Sequence, residues 1–321
     1  MAKRYRELLD KTKEEIGKAI IGQDEIVNGL LRAILANGHV LIEGVPGIAK
    51  TLVIRTLAAT TKCSFSRIQF TVDLLPSDIT GITTYHQKNE QFSVIKGPIF
   101  NNYIIADEIN RSPPKTQSAL LEAMQEKQAT IGKQTFKIRE PFFVMANNNP
   151  IESSGVYPLP EAQIDRFLFK LYMNYPSEEE SSRIIENNMT LKKFDEFKVK
   201  PVLTPQKIME MQEYTKRIKH TDKIKDYIVK IAFATRDPQK YGIHSGRYIE
   251  WGVSPRGEIG LFIAAKADAV MNGQEFITPQ NVKNVAYDVL RHRILLNYQG
   301  RAEKISTDYI ISEILSKIPV P

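Results

Sequence analysis

The chain of 321 residues has little cysteine and no long apolar run. Its one cysteine, Cys63, excludes an internal disulfide framework and permits a reducing compartment, so we expect a cytoplasmic location. The longest apolar runs, such as 142–146 and 261–265, are far shorter than a bilayer span. The segment 1–16 is charged, with a helical pattern and no apolar signal core. What remains is a globular protein, long enough for one large domain and a smaller one.

Positive charge is in excess, and much of it lies in the C-terminal part. The net charge is +7, and residues 201–321 contain 18 Lys and Arg against 13 Asp and Glu, a local net charge of +5. Such an excess fits a nucleic-acid surface, an interface with an acidic neighbour, or a solvated face. The sequence has no basic run with interleaved aromatic residues. The solvated face is therefore favoured, and a nucleic-acid partner is not expected.

Short apolar segments alternate with helical ones and predict an α/β fold with a doubly wound parallel sheet. The strand segments are 39–42, 66–70, 102–106, 141–146 and 167–171. Two further segments, 81–97 and 129–140, alternate around polar turns and predict β-hairpins outside this sheet. Beyond them the pattern becomes helical. We therefore expect an α/β nucleotide-binding domain over 1–195 and a smaller, all-helical domain over 196–321.

The first strand runs into a variant of the phosphate-binding pattern G-x-x-x-x-G-K-[ST], followed by a helix. Such a loop holds oxyanions because its backbone N–H groups point inward at a helix N-terminus. Lys50 should reach the β and γ phosphates, and Thr51 should offer its hydroxyl to Mg²⁺. The residues expected to line the nucleotide are Gly44, Val45, Pro46, Gly47, Ile48, Ala49, Lys50, Thr51 and Leu52.

Ala49 stands where the pattern has glycine, directly before the lysine. Alanine is small and favours helices, so we predict that it is tolerated here, provided that its φ is negative.

Two more strands end in polar residues that suit ATP hydrolysis. An apolar strand ends in Asp107 and Glu108, which would hold Mg²⁺ and polarise the attacking water, respectively. An acidic pair can also simply begin a turn, but the glycine loop 57 residues earlier favours an ATPase. A later strand ends in three asparagines, and Asn149 could position the nucleophile. Turn formation before Pro150 is the alternative.

Longer strings in the same order resemble the MoxR family of AAA+ ATPases. They are EGVPGIAKT, QFTVDLLPSDITG, ADEINRSPPKTQSALLEAMQE, YPLPEAQIDRF and GVSPRG, and the likeness extends over about 20–295, including LRHRI at 290–294. Alanine before the lysine is common in that family. The likeness implies that the second domain is a AAA+ lid and that the hairpins, one of them an insertion in helix 2, face a ring pore or a client.

The resemblance also implies roles for individual residues. Asn149 matches the first sensor, or Asn148 if the alignment slips by one residue. Arg166 matches the arginine finger that enters the neighbouring subunit's site, although pairing with Asp165 or a nearby glutamate is the plain alternative. Arg256 matches the second sensor, which touches the γ-phosphate of its own subunit, and a solvated helix start is its alternative. Ile21 and Gly22 match the region that lines the adenine base.

The function implied by this resemblance is that of an ATP-hydrolysing chaperone that forms a six-membered ring. Such proteins remodel, assemble or activate protein complexes or help to insert a metal cofactor, and partners with a von Willebrand A domain are typical. A metal-chelatase motor subunit, a nucleic-acid-stimulated motor and a nucleotide-gated binding module are the alternatives. ATP and Mg²⁺ are the expected cofactors.

Overall fold

The computed structural model describes residues 1–45, 47–87, 90–148, 155–187 and 193–321. The strands within these ranges are β1 (Val40–Gly44), β2 (Phe65–Gln69), β3 (Gly81–His86), β4 (Gln91–Lys96), β5 (Tyr103–Asp107), β6 (Gln128–Ile131), β7 (Gln134–Lys137), β8 (Phe143–Asn148), β9 (Phe169–Met173), β10 (Ile249–Trp251) and β11 (Leu295–Leu296). The helices are α1 (Ala2–Gly17), α2 (Asp24–Leu35), α3 (Lys50–Thr60), α4 (Pro76–Thr80), α5 (Pro114–Glu126), α6 (Glu161–Ile164), α7 (Glu178–Asn187), α8 (Pro205–Lys216), α9 (Asp222–Arg236), α10 (Pro255–Met271), α11 (Pro279–Leu290), α12 (Tyr298–Ala302) and α13 (Thr307–Lys317).

A five-stranded parallel sheet in the order β2-β5-β8-β1-β9 forms the centre of the N-terminal part. Its strands are buried on both faces because apolar residues run continuously along them, as in other parallel sheets. Alternate residues face opposite sides: Ile42 packs with α2 and α3, whereas Leu41 belongs to a separate apolar cluster with α4 and α5. The predicted doubly wound α/β fold is confirmed, and each predicted strand lies within two or three residues of its observed bounds.

Both predicted hairpins are present outside the central sheet. β3 pairs with β4 and β6 pairs with β7, each in antiparallel register. The turn of the second hairpin touches the first, because a Cβ at Gly132 would lie 2.9 Å from the hydroxyl oxygen of Thr83. The two hairpins therefore form one contiguous surface.

The C-terminal part is helical except for the short antiparallel pair of β10 and β11. Its central helix, α10, packs on α11 and also on α1 and α2, so the apolar cluster of the sheet continues into it. Alanines, which allow close packing, are the most frequent of the side chains buried along this helix, and the larger Leu261, Val270 and Met271 each contribute roughly 1.5–3 kcal/mol. Polar contacts add to the junction: Arg32 pairs with Asp268 at 2.7 Å, and the Gln212 amide donates to the Ile34 carbonyl at 2.7 Å. None of the helices within the described ranges combines the length and apolar character needed to cross a membrane.

Candidate nucleotide-binding site

The carboxyl ends of β1, β5 and β8 meet at one edge of the sheet and open into a cavity of about 480 Å³, here called the phosphate cavity. Parallel strands place the residues that follow them at a shared edge, which explains why distant motifs converge here. The described residues that line the cavity are Gly47, Ala49, Lys50, Thr51, Leu52, Arg67, Asp107, Glu108 and Asn147. The cavity thus brings the acidic pair together with the second half of the predicted loop, from Gly47 to Leu52. The other described residues predicted to line the nucleotide from this loop, Gly44, Val45 and Ile48, are not part of this lining.

The loop between β1 and α3 turns through two left-handed residues. Gly47 has φ of +83°, and Ala49 has φ of +62° and ψ of +27° immediately before the helix begins at Lys50. Our expectation of a negative φ at Ala49 was wrong, and with it the reason given for tolerating alanine. A left-handed alanine costs roughly 1–2 kcal/mol because its Cβ crowds the following carbonyl oxygen. Pro46, also predicted to line the nucleotide, lies outside the described residues.

Lys50 lies at the first turn of α3, and its ammonium group bends back to donate to the Gly44 carbonyl oxygen at 2.5 Å. Burial lowers the pKa of Lys50, and the carboxylates of Asp107, Glu108 and Glu43 partly oppose this shift. A phosphate arriving in the cavity would replace the Gly44 carbonyl as its acceptor.

Asp107 ends β5 and is held from both neighbouring strands. The Arg67 Nε group on β2 donates to its Oδ2 at 2.9 Å, and the Asn147 amide on β8 donates to its Oδ1. The Asp107 side chain is 13% exposed, whereas Arg67 is 50% exposed. The carboxylate is therefore ordered at the cavity wall, while the arginine that neutralises it can swing into solvent.

Glu108 follows in a left-handed conformation with φ of +55°, which is uncommon outside glycine and asparagine. Its N–H donates to the Asn147 side-chain oxygen at 2.6 Å, so Asn147 binds both members of the acidic pair. The Glu108 carboxylate accepts from the Gln69 amide at 2.9 Å and pairs with Arg111 at 3.1 Å. These contacts fix an unusual backbone conformation that directs the carboxylate along the cavity wall.

The donor set of the cavity fits a hard divalent cation. The Thr51 hydroxyl and the Asp107 carboxylate line the same space, and both are oxygen donors of the kind that Mg²⁺ takes together with phosphates and water. Bound there, the ion would neutralise charge on the phosphates.

Ile21 and Gly22, predicted to border the adenine, lie in the link between α1 and α2. Gly22 has φ of +73°, and a Cβ there would come within 2.3 Å of the Glu180 carboxyl carbon on α7. The next residue, Gln23, donates to the Asn174 carbonyl oxygen just after β9 at 3.2 Å. Because Met173 pairs with Gly44 in the sheet, this link is close to the start of the phosphate loop.

The three asparagines after β8 occupy different surroundings. Asn147 lines the phosphate cavity, whereas Asn148 has a buried Oδ1 without a hydrogen-bond partner in the described part of the chain. Asn149, predicted as the sensor, lies outside the described residues. The choice of sensor residue therefore stays a prediction.

Arg166 and Arg256 lie away from the described lining of the phosphate cavity. Asp165 pairs with Arg293 at 2.7 Å and not with Arg166, whose side chain makes no hydrogen bond or ion pair to any described residue. Arg256 is exposed in the first turn of α10. Its neighbour Gly257 lies against Arg293, since a Cβ there would be 2.9 Å from the Arg293 Cδ. The two predicted arginines therefore flank the same buried arginine.

Three residues at or beside the cavity were missed by reading the sequence: Arg67 and Asn147, which line it, and Gln69, which binds Glu108. The pairing of neighbouring strands would have predicted their positions. Gln69 pairs with Asp107 between β2 and β5, and Ala106 pairs with Ala146 between β5 and β8. Asn147 follows one position later, opposite Asp107. Once the order of the strands is known, polar residues at these positions mark the cavity wall.

Comparison with known protein families agrees with the fold and the cavity. The model for the ATPase family associated with various cellular activities (AAA) matches residues 39–169, which contain the phosphate loop and the acidic pair. A model for the AAA lid domain matches residues 243–314. The N-terminal part is therefore a AAA ATPase domain followed by a AAA lid.

Proteins that match nearly the whole chain identify the family within the AAA ATPases. The chain is 43% identical to the chaperone MoxR1 of Mycobacterium tuberculosis, over 98% of this chain and 82% of that protein. It is 27% identical to the protein MoxR of Methylorubrum extorquens, over 99% of this chain and 96% of that protein. A crystal structure of a presumed ATPase from Cytophaga hutchinsonii superposes with a TM-score of 0.92 at 44% identity, over 100% of this chain and 97% of that one. The chain belongs to the MoxR family of AAA+ ATPases, which confirms the resemblance of its motifs.

Proposed function

We propose that the protein hydrolyses ATP to ADP and phosphate at the phosphate cavity, with Mg²⁺. The observation that carries this proposal is the convergence of Lys50, Thr51, Asp107 and Glu108 on one cavity. Lys50 binds the β and γ phosphates, and Glu108 accepts the proton of the attacking water. Thr51 and Asp107 hold the metal ion. Asn147 keeps the acidic pair in position, and Asn149 remains the proposed sensor.

The site is completed by an adjacent protomer of a ring, most simply of six subunits. Two observations support this arrangement: the Arg166 side chain has no polar partner among the described residues of its own chain, and Arg166 is absent from the described lining of the cavity. An arginine finger that reaches a neighbour's γ-phosphate would have both properties. Such a finger raises the turnover rate by about 10³–10⁵-fold.

Arg256 is proposed to act together with Arg166. Ser254, at the end of the link into α10, lines the same small cavity as Asp165 and Arg293. Arg256 therefore lies on the same side of the protomer as Arg166. From that side we expect it to bind the phosphates of the neighbouring protomer and not those of its own subunit, in contrast with the expectation from the resemblance. Both arginines would then be delivered by the same protomer.

The ring is proposed to use ATP hydrolysis as a chaperone does, to remodel, assemble or activate a partner protein complex. Insertion of a metal cofactor into that complex is one form of this activity. The first hairpin supports a client-facing role. The rings of Tyr85 and Phe92 are in contact near its end, with centroids 5.1 Å apart and planes tilted by 52°, and Phe92 is 75% exposed. A partner with a von Willebrand A domain and a cytoplasmic location also belong to the proposal.

Mixing inactive variants tests the shared site. Glu108→Gln and Arg166→Ala should each abolish turnover, whereas an equimolar mixture should recover roughly a quarter of wild-type turnover if subunits exchange at random around a ring. A mixture that stays inactive, with wild-type turnover per chain independent of concentration while the assembly state changes, would refute the shared site. Arg256→Ala mixed with Arg166→Ala then assigns Arg256. Recovery means that it acts in its own subunit's site, and no recovery means that it acts with the finger.

A further inference from the structure

Arg293, in the lid segment 290–294, is a buried arginine that uses all of its N–H donors on one carboxylate and four backbone carbonyl oxygens. Its side chain is 3% exposed. A guanidinium group carries five N–H donors. Nε donates to the Asp165 carboxylate at 2.7 Å, Nη2 donates to the carbonyl oxygens of Asp165 and Phe167 at 3.1 and 2.7 Å, and Nη1 donates to those of Leu168 at 3.1 Å and of Val289. Four of the five donors bind the short segment 165–168.

This segment, together with Arg293, is here called the finger clamp, because Arg166 lies inside it. Arg293 holds the residues immediately before and after Arg166, and the Arg166 N–H donates to the Gln163 carbonyl oxygen at 3.2 Å. The backbone that carries the Arg166 side chain is therefore fixed on both sides. The side chain itself makes no polar contact with the described residues.

The lid is built to keep Arg293 in this position. Gly257, in the first turn of α10, leaves room for the guanidinium stem, since a Cβ there would lie 2.2 Å from Val253 Cγ1 and 2.9 Å from Arg293 Cδ. A movement of the lid helices relative to the sheet would thus act directly on the segment that carries Arg166.

Arg291 attaches the lid to β9, the strand that follows the finger clamp, without holding Arg166. Arg291 pairs with Asp308 at 3.1 Å and donates to the Lys170 carbonyl oxygen at 2.9 Å. If the buried arginines served only to attach the lid, substitutions at Arg291 and Arg293 would have the same consequences.

We infer that Arg293 is a positioning residue for Arg166, so that the lid of each protomer sets the finger presented to the next protomer's site. The inference rests on the proposed shared site. A guanidinium is planar and can bind several carbonyls at once, whereas an ammonium group carries three donors and cannot reproduce that fork. Arg293→Lys should therefore keep a charge opposite Asp165 and release the backbone around Arg166.

The test asks whether Arg293→Lys behaves in mixtures like Glu108→Gln, which damages its own subunit's site, or like Arg166→Ala, which damages the finger given to the neighbour. Turnover of Arg293→Lys alone should fall about 10²-fold, the usual effect of displacing a catalytic group by about 1 Å. Its ATP affinity should be unchanged, since its own phosphate cavity is intact. Mixed with Glu108→Gln it should recover activity as Arg166→Ala does, and mixed with Arg166→Ala it should not recover. Arg291→Lys is the matched control and should remain active alone.

The possible outcomes separate the inference from the function on which it rests. Recovery of Arg293→Lys with Arg166→Ala would overturn the positioning role while leaving the shared site intact. The same pattern of loss in Arg291→Lys would also overturn it, because lid attachment alone would then explain both. If Glu108→Gln and Arg166→Ala fail to recover each other, the proposed site and this inference both fall. Should Arg293→Lys not fold, Asp165→Ala, which removes the partner of Nε, carries the same test.

Discussion

The phosphate cavity and the finger clamp each contain an arginine–aspartate pair, but the two pairs differ in burial. Arg67, which binds Asp107, is 50% exposed, whereas Arg293, which binds Asp165, is 3% exposed. An exposed pair contributes little and can open, whereas a buried arginine with all its donors bound is costly to disturb. The difference fits the proposed roles: Asp107 must be released to bind a metal ion, and Arg166 must be held where the neighbour needs it.

After the Glu108 and Arg166 variants, the largest effect on turnover is expected from Lys50, a residue that matters to the cavity and little to the fold. Lys50→Ala should lower turnover by about 10²–10³-fold, because the cation that balances the phosphate charge is removed. Its free energy of unfolding without nucleotide should change little, since among the described residues its side chain hydrogen-bonds to the Gly44 carbonyl oxygen alone. Steady-state turnover and urea unfolding measure the two quantities.

Lys170→Ala is the control for this prediction. Lys170 pairs with Glu43 at 2.6 Å on the neighbouring strand but does not line the phosphate cavity. Its loss should leave turnover within a few-fold of wild type. Equal losses in both variants would mean that charge near β1, and not contact with phosphate, controls turnover.

A pair of arginine deletions compares the two regions directly. Arg293→Ala should lower the free energy of unfolding by about 3–5 kcal/mol, because a buried charge pair is broken and the Leu168 carbonyl oxygen loses the Arg293 donor. The Phe167 carbonyl oxygen also loses that donor but keeps its hydrogen bond with His292 Nε2 at 3.1 Å. Arg67→Ala should cost less than about 1 kcal/mol, as is usual for an exposed pair. Urea unfolding of both variants decides. Similar losses would show that the clamp is no more rigid than the cavity wall.

Much of the fold and the core of the site could be predicted from the sequence, because they depend on local patterns. Apolar runs defined the strands, and the glycine loop and acidic pair identified Lys50, Thr51, Asp107 and Glu108. The contributions of Arg67, Asn147 and Arg293 could not be predicted, because each depends on which strands or domains become neighbours. The conformation of Ala49 was predicted wrongly, since helix propensity was applied to a residue that precedes the helix.

The free energy of unfolding should depend on pH through Asp288, whose Oδ1 lies 3.1 Å from Nη1 of Arg291 in the lid. Burial raises the pKa of Asp288 from 3.8 to about 6, against the opposing effects of Arg291 and Arg32 and with smaller contributions from Asp308 and Glu25. The folded state therefore keeps this proton to a higher pH than the unfolded state, so the stability contribution of this group falls as pH rises from about 4 to 6. Linkage makes the loss roughly 2–3 kcal/mol at most.

Asp288→Asn should remove this pH dependence. Relative to wild type, the variant should gain about 2 kcal/mol in free energy of unfolding between pH 4 and pH 7, as measured by urea unfolding. Asp308→Asn, which also loses a contact with Arg291, should show no such gain. A pH-independent difference between Asp288→Asn and wild type would contradict the assignment.

A smaller effect is expected where Arg67 competes with a metal ion for Asp107. Arg67→Gln leaves the carboxylate without its guanidinium partner, so Mg²⁺ no longer has to displace it. The concentration of Mg²⁺ that gives half-maximal turnover should fall by about 1.5–5-fold, the equivalent of an exposed pair of 0.2–1 kcal/mol. Arg55→Gln, outside the described cavity lining, is the control and should leave the Mg²⁺ requirement unchanged. A higher Mg²⁺ requirement in Arg67→Gln would mean that Arg67 assists the ion.

The smallest effect concerns Ala49, the left-handed residue before α3. Ala49→Gly should raise the free energy of unfolding by about 0.5–1 kcal/mol, because relief of the left-handed Cβ contact exceeds the entropy that glycine loses on folding. Its side chain is exposed, so no packing is lost. Ala58→Gly, the same substitution inside α3, should instead lower stability by about 1 kcal/mol or more. Turnover of Ala49→Gly should stay close to wild type if the loop already has the conformation that phosphate requires. A loss of stability like that of Ala58→Gly would instead mean that Ala49 has a negative φ in solution.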